Sequence, residues 1–574
     1  MAPSQSIKKE LVISFFQAIL AFTLIPGIAF IFTYYVTHNY RLRGSDAAQF
    51  YAVYPLAYWL LIGGAILFIF IIALGAIAFI NRKAQYISFV TGWRLLVLAC
   101  AVELIVQGII AIWLSYWLSA VFFKVYVLKL ILVVILFVGA GVLTALFTMF
   151  KRLQHTNTIE GELLARMDAP ALWERVDRIA KKLGTQPPDQ IIAGIDTNFF
   201  VTESPITLND QKLKGRTLFI SIPLLQQLST DEADSVLAHE LCHLRGGDTA
   251  NSAALYPKLL QCNNYISAMY ENPMTRVVYY PLNLYRLIFE LALQRESRRR
   301  EFMADKAAAS VVSPQGIAQS LIKIEAYAAY RAQTEGLLFE QNQRHDENIG
   351  IAQRIAQGLP TYVFSERFLQ DMKHANIPHP FDSHPLLAER MQNVNHVITP
   401  ENFAHIITQT PVSTWVDLIP TAKQIENNLW SKYEKLFSQD HEQSLAYRYV
   451  PENEQQEQIV LKYFPPLQFG LKGGQNVQVT YQGIIAPGGH LFKWDDIKKS
   501  IYNDGFSADS LVLTLNEKKM LGNKKQTIKL AGIKPQRQNF KNAIGQYWHR
   551  HSVMVALQEQ LKNQASTTAD PTGL

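Results

Sequence analysis

Four long apolar segments in the first 150 residues constrain the fold of this 574-residue chain more than any other feature. The runs occupy residues 11–37, 47–81, 95–123 (interrupted by Glu103) and 130–150. Each exceeds the roughly 20 residues that a helix needs to cross about 30 Å of hydrocarbon. A cleaved leader has one short apolar core, so four runs exclude that interpretation. The sequence therefore predicts a four-helix transmembrane domain over residues 1–152.

The basic residues near the ends of these segments predict their orientation. With the N-terminus inside, the basic residues on the cytoplasmic side are Lys8, Lys9, Arg82, Lys83, Arg94, Lys151, Arg152 and Arg166. Those on the opposite side are Arg41, Arg43, Lys124 and Lys129. Cytoplasmic flanks carry the excess of lysine and arginine in membrane proteins. We therefore expect a multi-pass inner-membrane protein whose later domains face the cytoplasm.

A second constraint is the sequence His239-Glu-Leu-Cys-His243, which lies within a segment of helical pattern. Two histidines four positions apart leave one face of a helix and can bind one metal ion. Two imidazoles and a third protein ligand suit Zn²⁺, with a fourth position open to water. Glu240 can act as the base that deprotonates this water. The alternative is a surface helix with two solvated histidines.

Candidates for further site residues lie about sixty positions downstream, in another segment of helical composition. Glu301 and Asp305 are four residues apart and therefore share a helix face. Glu301 can then bind the metal while Asp305 accepts the second N–H of a ligating histidine. A charged, solvated helix face explains the same spacing equally well.

Together these motifs resemble the gluzincin family of membrane metallopeptidases that contains HtpX and the CAAX prenyl proteases. The chain has HELCH, then Glu301-Phe-Met-Ala-Asp305, then His384-Pro-Leu-Leu-Ala-Glu-Arg390, in the order of that family. The resemblance covers roughly residues 155–395. It implies one zinc ion per chain with His239, His243 and Glu301 as ligands and Glu240 as catalytic base.

The resemblance also implies roles for residues around the metal. It implies that Asp305 contacts a metal-binding histidine on the side away from the metal. It also implies that His384 and Arg390 stabilise the oxyanion or position the substrate. An edge strand that pairs with substrate is expected at Thr197–Thr202, followed by a strand at Thr217–Ile222. Asn198, Phe199 and Phe200 are accordingly predicted to bind substrate. Without the resemblance, Asn198 is a turn residue and His384 begins a simple turn.

Two features depart from the family pattern. Cys242 replaces a residue that is usually small, and we expect its thiol to pack against a neighbour rather than to bind the metal. Residues 251–294 stand where related chains have transmembrane helices, yet they include charged residues that make a bilayer span costly. We expect this segment to form a lid or to lie at the membrane interface.

The remaining composition restricts the partners. Three cysteines give no disulfide framework and fit a reducing compartment. The net charge of +7 and the basic run Arg295–Arg300 suit anionic lipid headgroups. No nucleic-acid motif is found, so nucleic acid is not expected as a partner. The expected partners are a protein or peptide substrate and the lipid bilayer, and a homo-oligomer is left open.

Beyond the peptidase-like region, the chain is predicted to contain a helical extension and linker at residues 401–458. A small α+β module is expected at 459–562, with a disordered tail at 563–574. Within the module we expect strands at Ile459–Tyr463, Val477–Ile485, Ser510–Leu515 and Thr527–Leu530, and helices at Trp494–Tyr502 and Gln538–Leu561. Several strands with a closing helix resemble a pleckstrin-homology barrel.

The predicted fold class is an α-helical membrane domain, a mainly α-helical α+β metallopeptidase domain at 153–400 and the small α+β module. The predicted function is hydrolysis of misfolded or membrane-associated proteins, as implied by the resemblance to HtpX. A catalytically silent membrane-anchored scaffold is the alternative from another class. A prenyl-protein protease is disfavoured, because such enzymes enclose the site in a larger ring of helices.

Overall fold

The protein is described by a computed structural model. It covers residues 3–149, 157–245, 247–346, 348–375, 385–505, 508–519 and 522–568. The chain divides into two compact units, which are described separately. The first comprises Met1–Arg331 and Ala356–Leu429, and the second comprises Ala332–Ile355 and Trp430–Leu574. The second unit includes a segment from the middle of the chain, and the predicted domain boundaries stay a prediction.

The four apolar segments form long helices, as predicted. They are α1 (Pro3–Asn39), α2 (Gly44–Ala78), α3 (Arg82–Phe123) and α4 (Leu128–Met149). All four are long and apolar enough to cross a membrane. Between 17% and 44% of the most apolar window of each helix is buried by protein, so most of these side chains face outward. Outward-facing apolar side chains are what lipid contact requires.

A small mixed sheet follows, and it contains the predicted edge strand. The elements in this region are β1 (Asn157–Thr158), β2 (Glu162–Leu164), α5 (Pro170–Leu183), β3 (Gln190–Gly194), β4 (Phe200–Thr202), β5 (Ile206–Leu208), β6 (Gln211–Leu213) and β7 (Thr217–Ser221). One sheet has the order β2-β3-β7-β4, and the other has the order β1-β5-β6. Strand β4 lies at an edge, antiparallel to β7, so both predicted strands are present, although the first is shorter than predicted and begins at Phe200.

Helices make up the remainder of the first unit and the connection to the second. They are α6 (Ile222–Gln227), α7 (Thr230–Arg245), α8 (Asp248–Glu271), α9 (Arg276–Val311), α10 (Pro314–Glu340), α11 (Ile351–Tyr362), α12 (Glu366–Ala375), α13 (Leu387–Asn393), α14 (Phe403–Thr408) and α15 (Ala422–Arg448). Helix α7 carries the two histidines, and α9 carries Glu301 and Asp305.

Helices α8 and α9 occupy the segment that was predicted to be a lid or an interfacial element. The lid alternative is wrong, because the apolar side chains of both helices belong to one buried core with those of α1–α4. The ring of Phe289 lies 4.7 Å from that of Phe89 on α3, and the Tyr285 hydroxyl donates to the Ser88 carbonyl at 2.9 Å. Helix α9 is therefore one continuous helix that packs on α1–α4 and also carries Glu301 and Asp305.

The second unit is built around a small module of two sheets and a long helix. Its further elements are α16 (Glu454–Tyr463), β8 (Leu467–Gly470), β9 (Asn476–Thr480), β10 (Gly483–Ile485), β11 (Leu491–Lys493), β12 (Ile497–Asn503), β13 (Asp509–Lys519), β14 (Gly522–Leu530) and α17 (Arg537–Thr568). The strands form two antiparallel sheets, β11-β10-β9-β8 and β12-β13-β14, that share one core with α17. Seven strands in two sheets with a closing helix confirm the predicted α+β module, and the likeness to a pleckstrin-homology barrel stays a prediction.

Four local predictions in this module are wrong. Residues 477–485, predicted as one strand, form the antiparallel strands β9 and β10 with a turn between them. Residues 459–463 end helix α16 rather than forming a strand, because the Asn453 side chain caps that helix by accepting from the Gln456 amide at 3.0 Å. Residues 497–503 form strand β12 rather than a helix, because their backbone pairs with β13. Helix α17 continues to Thr568, so the start of the predicted tail is helical, while residues 569–574 lie outside the described residues.

Candidate metal centre

Helix α7 presents the two histidines, and its ends are fixed by local chemistry. At its start, the Ser229 hydroxyl accepts from the Glu232 amide at 3.4 Å, and the Glu232 carboxylate accepts from the Ser229 amide at 2.6 Å. This reciprocal pair is a capping box. After the helix, Gly247 has φ +66°, a left-handed conformation that glycine adopts without strain. Local sequence thus defines both ends of the helix, although Gly246 lies outside the described residues.

Helices α7 and α9 bring three donor groups to one point. The Nε2 atoms of His239 and His243 are 3.2 Å apart. A carboxylate oxygen of Glu301 lies 3.5 Å from the first nitrogen, and the other oxygen lies 3.4 Å from the second. Among the described residues, this trio is the group of histidine, cysteine and acidic side chains whose ligand atoms converge closely enough to hold a metal ion. The predicted ligands are therefore adjacent in space.

The donor geometry fits zinc. In a tetrahedral site with ligands about 2.0–2.1 Å from the ion, neighbouring ligand atoms lie about 3.3 Å apart. The 3.2 Å between the two histidine nitrogens matches that edge length, and Glu301 faces both nitrogens, with one carboxylate oxygen 3.5 Å from His239 and the other 3.4 Å from His243. Two imidazoles and one carboxylate are also the donor set of catalytic rather than structural zinc sites. His239, His243 and Glu301 would hold the ion and leave its fourth position open.

Asp305 lies directly behind the first histidine. Its carboxylate is 3.0 Å from Nδ1 of His239, which leaves Nε2 of the same ring directed at the donor cluster. Burial alone would lower the pKa of His239, but the hydrogen bonds to Asp305 and Glu301 outweigh burial, and the protein's own groups raise this pKa to about 9. The predicted position of Asp305 behind a ligand agrees with this contact, which fixes the ring's orientation.

Arg390 on α13 makes a contact that sequence reasoning did not anticipate. Its Nε and Nη2 donate to the two oxygens of Asp305 at 2.8 and 2.6 Å. Burial alone would raise the pKa of Asp305, but hydrogen bonds from Arg390 and His239 outweigh burial and lower it. Nη2 also lies 3.7 Å from Glu301, and the residue borders the cavity described below. The predicted role of Arg390 at the oxyanion stays a prediction.

Glu240 lies between the two histidines in sequence and faces the cavity. One of its carboxylate oxygens accepts from the backbone amide of Val201 on β4 at 3.2 Å. Enclosure by protein raises the pKa of Glu240, and the neighbouring His239 and His243 oppose that shift. The amide of the edge strand thus orients the predicted base, which is a backbone contact that no side-chain pattern signals.

The donor cluster opens into a cavity of about 670 Å³. Residues on its wall are Thr197, Asn198, Phe199, Phe200, Val236, His239, Glu240, His243, Glu301, Ile317, Leu321, Ile324, Glu325, Ala328, Pro385, Leu387 and Arg390. All three predicted substrate-binding residues are on this wall. Asn198 is exposed, whereas the Phe199 ring packs on Trp415 and the Phe200 ring stacks on Phe219 at 5.0 Å. His384 lies outside the described residues.

Helix α10 supplies one wall of this cavity, which sequence reasoning missed. Its residues Ile317, Leu321, Ile324 and Ala328 follow helical spacing and face the cavity together with Glu325. The spacing signals an apolar helix face, but it does not show which surface that face covers. Cys242 is absent from the cavity wall, and burial raises the pKa of its thiol, in agreement with the expectation that it packs rather than binds the ion.

Comparison with known proteins identifies the class. The sequence model of Peptidase family M48 matches residues 171–398, a segment that contains α7, α9 and α13. Together with the four apolar helices, this places an M48 metallopeptidase domain on a membrane-type N-terminal region. The predicted resemblance to HtpX is confirmed: residues 171–398 match the Peptidase family M48 model, and the chain is similar to proteins named Protease HtpX.

Individual relatives are distant. The chain is 26% identical to a Protease HtpX homolog of Gemmatimonas aurantiaca over 181 residues, which is 29% of this chain and 61% of the relative. It is 29% identical to a Protease HtpX homolog of Methanopyrus kandleri over 160 residues, which is 27% of this chain and 50% of the relative. It is 25% identical to Protease HtpX of Haemophilus influenzae over 218 residues, which is 34% of this chain and 74% of the relative.

The match therefore spans less than two thirds of the first two relatives. No solved structure matches this chain.

Proposed function

We propose that this chain is a membrane-anchored zinc metalloendopeptidase. It hydrolyses peptide bonds of misfolded or membrane-associated proteins at the cytoplasmic face of an inner membrane. The observation that carries the proposal is the convergence of His239, His243 and Glu301 beside Glu240, open to a cavity bordered by an edge strand. The HtpX-named relatives support the choice of substrate class.

The side chains around the donors perform distinct parts of the reaction. Bound zinc supplies Lewis acidity, polarising a peptide carbonyl and lowering the pKa of water. Glu240 accepts the proton of the attacking water and passes it to the leaving amine. The Val201 amide keeps its carboxylate in place for both transfers. His384 is proposed to stabilise the oxyanion, and Arg390 acts on the ligand His239 through Asp305.

The edge strand explains how substrates of varied sequence are held. Strand β4 pairs on one side with β7, and the Val201 amide is directed at Glu240. An extended peptide that adds to this edge is bound by main-chain hydrogen bonds, which do not depend on its side chains. Asn198, Phe199 and Phe200 line the adjoining wall and are proposed to contact that peptide.

The proposal is tested with the purified full chain in detergent. Wild type should bind one zinc and cleave casein, and a zinc chelator should abolish cleavage. Glu240→Gln should retain zinc and lose cleavage, because glutamine preserves shape but cannot accept the proton. Glu174→Gln, a change at an exposed position on α5, is the matched control and should cleave normally. Zinc binding by wild type without cleavage of any unfolded protein would favour the scaffold alternative.

A further inference from the structure

A groove on the outer surface of α9, separate from the metal cavity, is lined by basic and apolar side chains. It has a volume of about 520 Å³. Four cations border it, namely Arg295, Arg298, Arg299 and Lys306. Carboxylates offset only part of this charge: Glu389 contacts Arg298 at 2.6 Å, and Glu296 lies 3.9 Å from Arg299. Within the described part of the chain, Arg295 and Lys306 have no carboxylate partner at ion-pair distance.

The same groove exposes apolar surface. Met303 is 57% exposed, and Phe302 and Leu291 border the groove beside it. A site for a free, fully hydrated anion does not need such surface. A molecule that carries both an anionic group and a hydrocarbon portion makes use of both parts. The groove is therefore matched to an amphiphile rather than to inorganic phosphate.

The position of the groove along α9 places it beside the ends of the membrane helices. Upstream, Phe289 and Ala292 belong to the core shared with α1–α4. Three residues after Ala292 the basic series begins at Arg295. Arg82, the first residue of α3, interacts electrostatically with Glu296 and Arg300. This part of α9 therefore lies beside the connection between α2, which ends at Ala78, and α3, which starts at Arg82.

We propose that the groove binds an anionic membrane phospholipid. The phosphate is held by Arg295, Arg299 and Lys306, and the glycerol and upper acyl region lie on Leu291, Phe302 and Met303. Guanidinium groups suit a phosphate because they present paired donors to two of its oxygens. Basic pockets beside membrane helices are a known solution for binding lipid headgroups. This inference goes beyond the proposed peptidase function and does not depend on it.

The groove also adjoins the contacts that hold α13 against α9. The Asn393 side chain donates to the Phe302 carbonyl at 2.7 Å, and Arg298 bridges to Glu389 on the same helix. Helix α13 carries Arg390, which contacts Asp305. Arg298 is therefore left unchanged in the test, so that a loss of lipid binding is not confused with displacement of α13.

The test measures binding of short-chain phosphatidylglycerol to the full chain in detergent by native mass spectrometry. Wild type should bind one phosphatidylglycerol saturably and phosphatidylcholine much more weakly. The variant Arg295→Gln/Arg299→Gln/Lys306→Gln should bind phosphatidylglycerol at least roughly tenfold more weakly, because cations near an anionic headgroup carry much of the attraction. The control Lys181→Gln/Lys182→Gln/Lys214→Gln removes the same charge from exposed positions elsewhere and should keep wild-type affinity.

Several results would overturn the proposal. Equal binding by wild type and the groove variant excludes the groove as the site. Equal loss in the control variant shows that net charge alone is responsible. Competition by inorganic phosphate at similar concentration shows that the site takes the free anion. Preferential binding of a glutamate-rich peptide over the lipid shows that the groove serves an acidic protein segment instead.

Discussion

Arg390 and Asp305 form a buried two-bond ion pair behind the first histidine of the metal site. The guanidinium donates to both carboxylate oxygens at 2.8 and 2.6 Å, and one of these oxygens also lies 3.0 Å from Nδ1 of His239. Helix α13 is thereby joined through α9 to α7. The three helices that carry the site residues meet at this pair.

Removing one member of this ion pair should lower the stability of the folded protein. Arg390→Met leaves Asp305 buried without its main partner and should destabilise the protein by about 3–5 kcal/mol. Thermal unfolding in detergent should show a lower midpoint. The double variant Arg390→Met/Asp305→Asn removes both charges and should recover part of the loss. A double variant that is less stable than Arg390→Met would contradict this account of the pair.

Asp305 should also control metal affinity. Asp305→Asn weakens the hydrogen bond that orients His239, so zinc affinity should fall by about tenfold to a hundredfold. Competition with a chromophoric chelator measures this change. Asp177→Asn, at a partly exposed position on α5, is the control and should bind zinc as wild type does. Wild-type zinc affinity in Asp305→Asn would show that the contact does not orient the ligand.

The contact between Val201 and Glu240 predicts a backbone effect. Val201→Pro removes the N–H that holds the base, and proline is tolerated on an edge strand. We expect kcat for casein cleavage to fall by about tenfold or more, with zinc content unchanged. Val201→Ala keeps the amide and should retain most of the activity. Equal kcat values for the two variants would remove the assigned role of this amide.

A buried ion pair joins α10 to the start of α7. Lys323 donates to the Glu232 carboxylate at 2.9 Å and to the Gln227 carbonyl at 3.0 Å, and both charged side chains are almost fully buried. Lys323→Met leaves the carboxylate unpaired and should cost about 3–5 kcal/mol of stability. The exposed change Lys182→Met on α5 should cost little. Similar thermal midpoints for the two variants would contradict the prediction.

Sequence reasoning was effective where a single local pattern determines the structure. The apolar runs predicted α1–α4 because length and hydrophobicity alone define a membrane span. The spacing of His239 and His243 predicted their shared helix face, and the order of three motifs predicted that Glu301 joins them. The strands around the edge position at Phe200 were also found, because they form short apolar runs between turn residues.

Sequence reasoning was less effective where contacts between residues far apart in sequence determine the structure. The charged residues within α8 and α9 argued against a face packed in the core. In the structure, however, Arg286 is paired with Glu290 at 2.9 Å, and the apolar residues between them pack against α3. Residues 497–503 have both helical and strand-like patterns, and pairing with β13 selects the strand. The contacts of Arg390 with Asp305 and of Val201 with Glu240 join segments far apart in sequence, so no local pattern signals them.

The central claim is that two histidines of α7 and one glutamate of α9 hold a zinc ion. X-ray absorption at the zinc edge of the purified, zinc-loaded full chain tests it most directly. We expect four nitrogen and oxygen ligands at about 2.0–2.1 Å, and a changed first shell in Glu301→Gln. A sulfur ligand at about 2.3 Å, or a spectrum that Glu301→Gln leaves unchanged, would contradict the account.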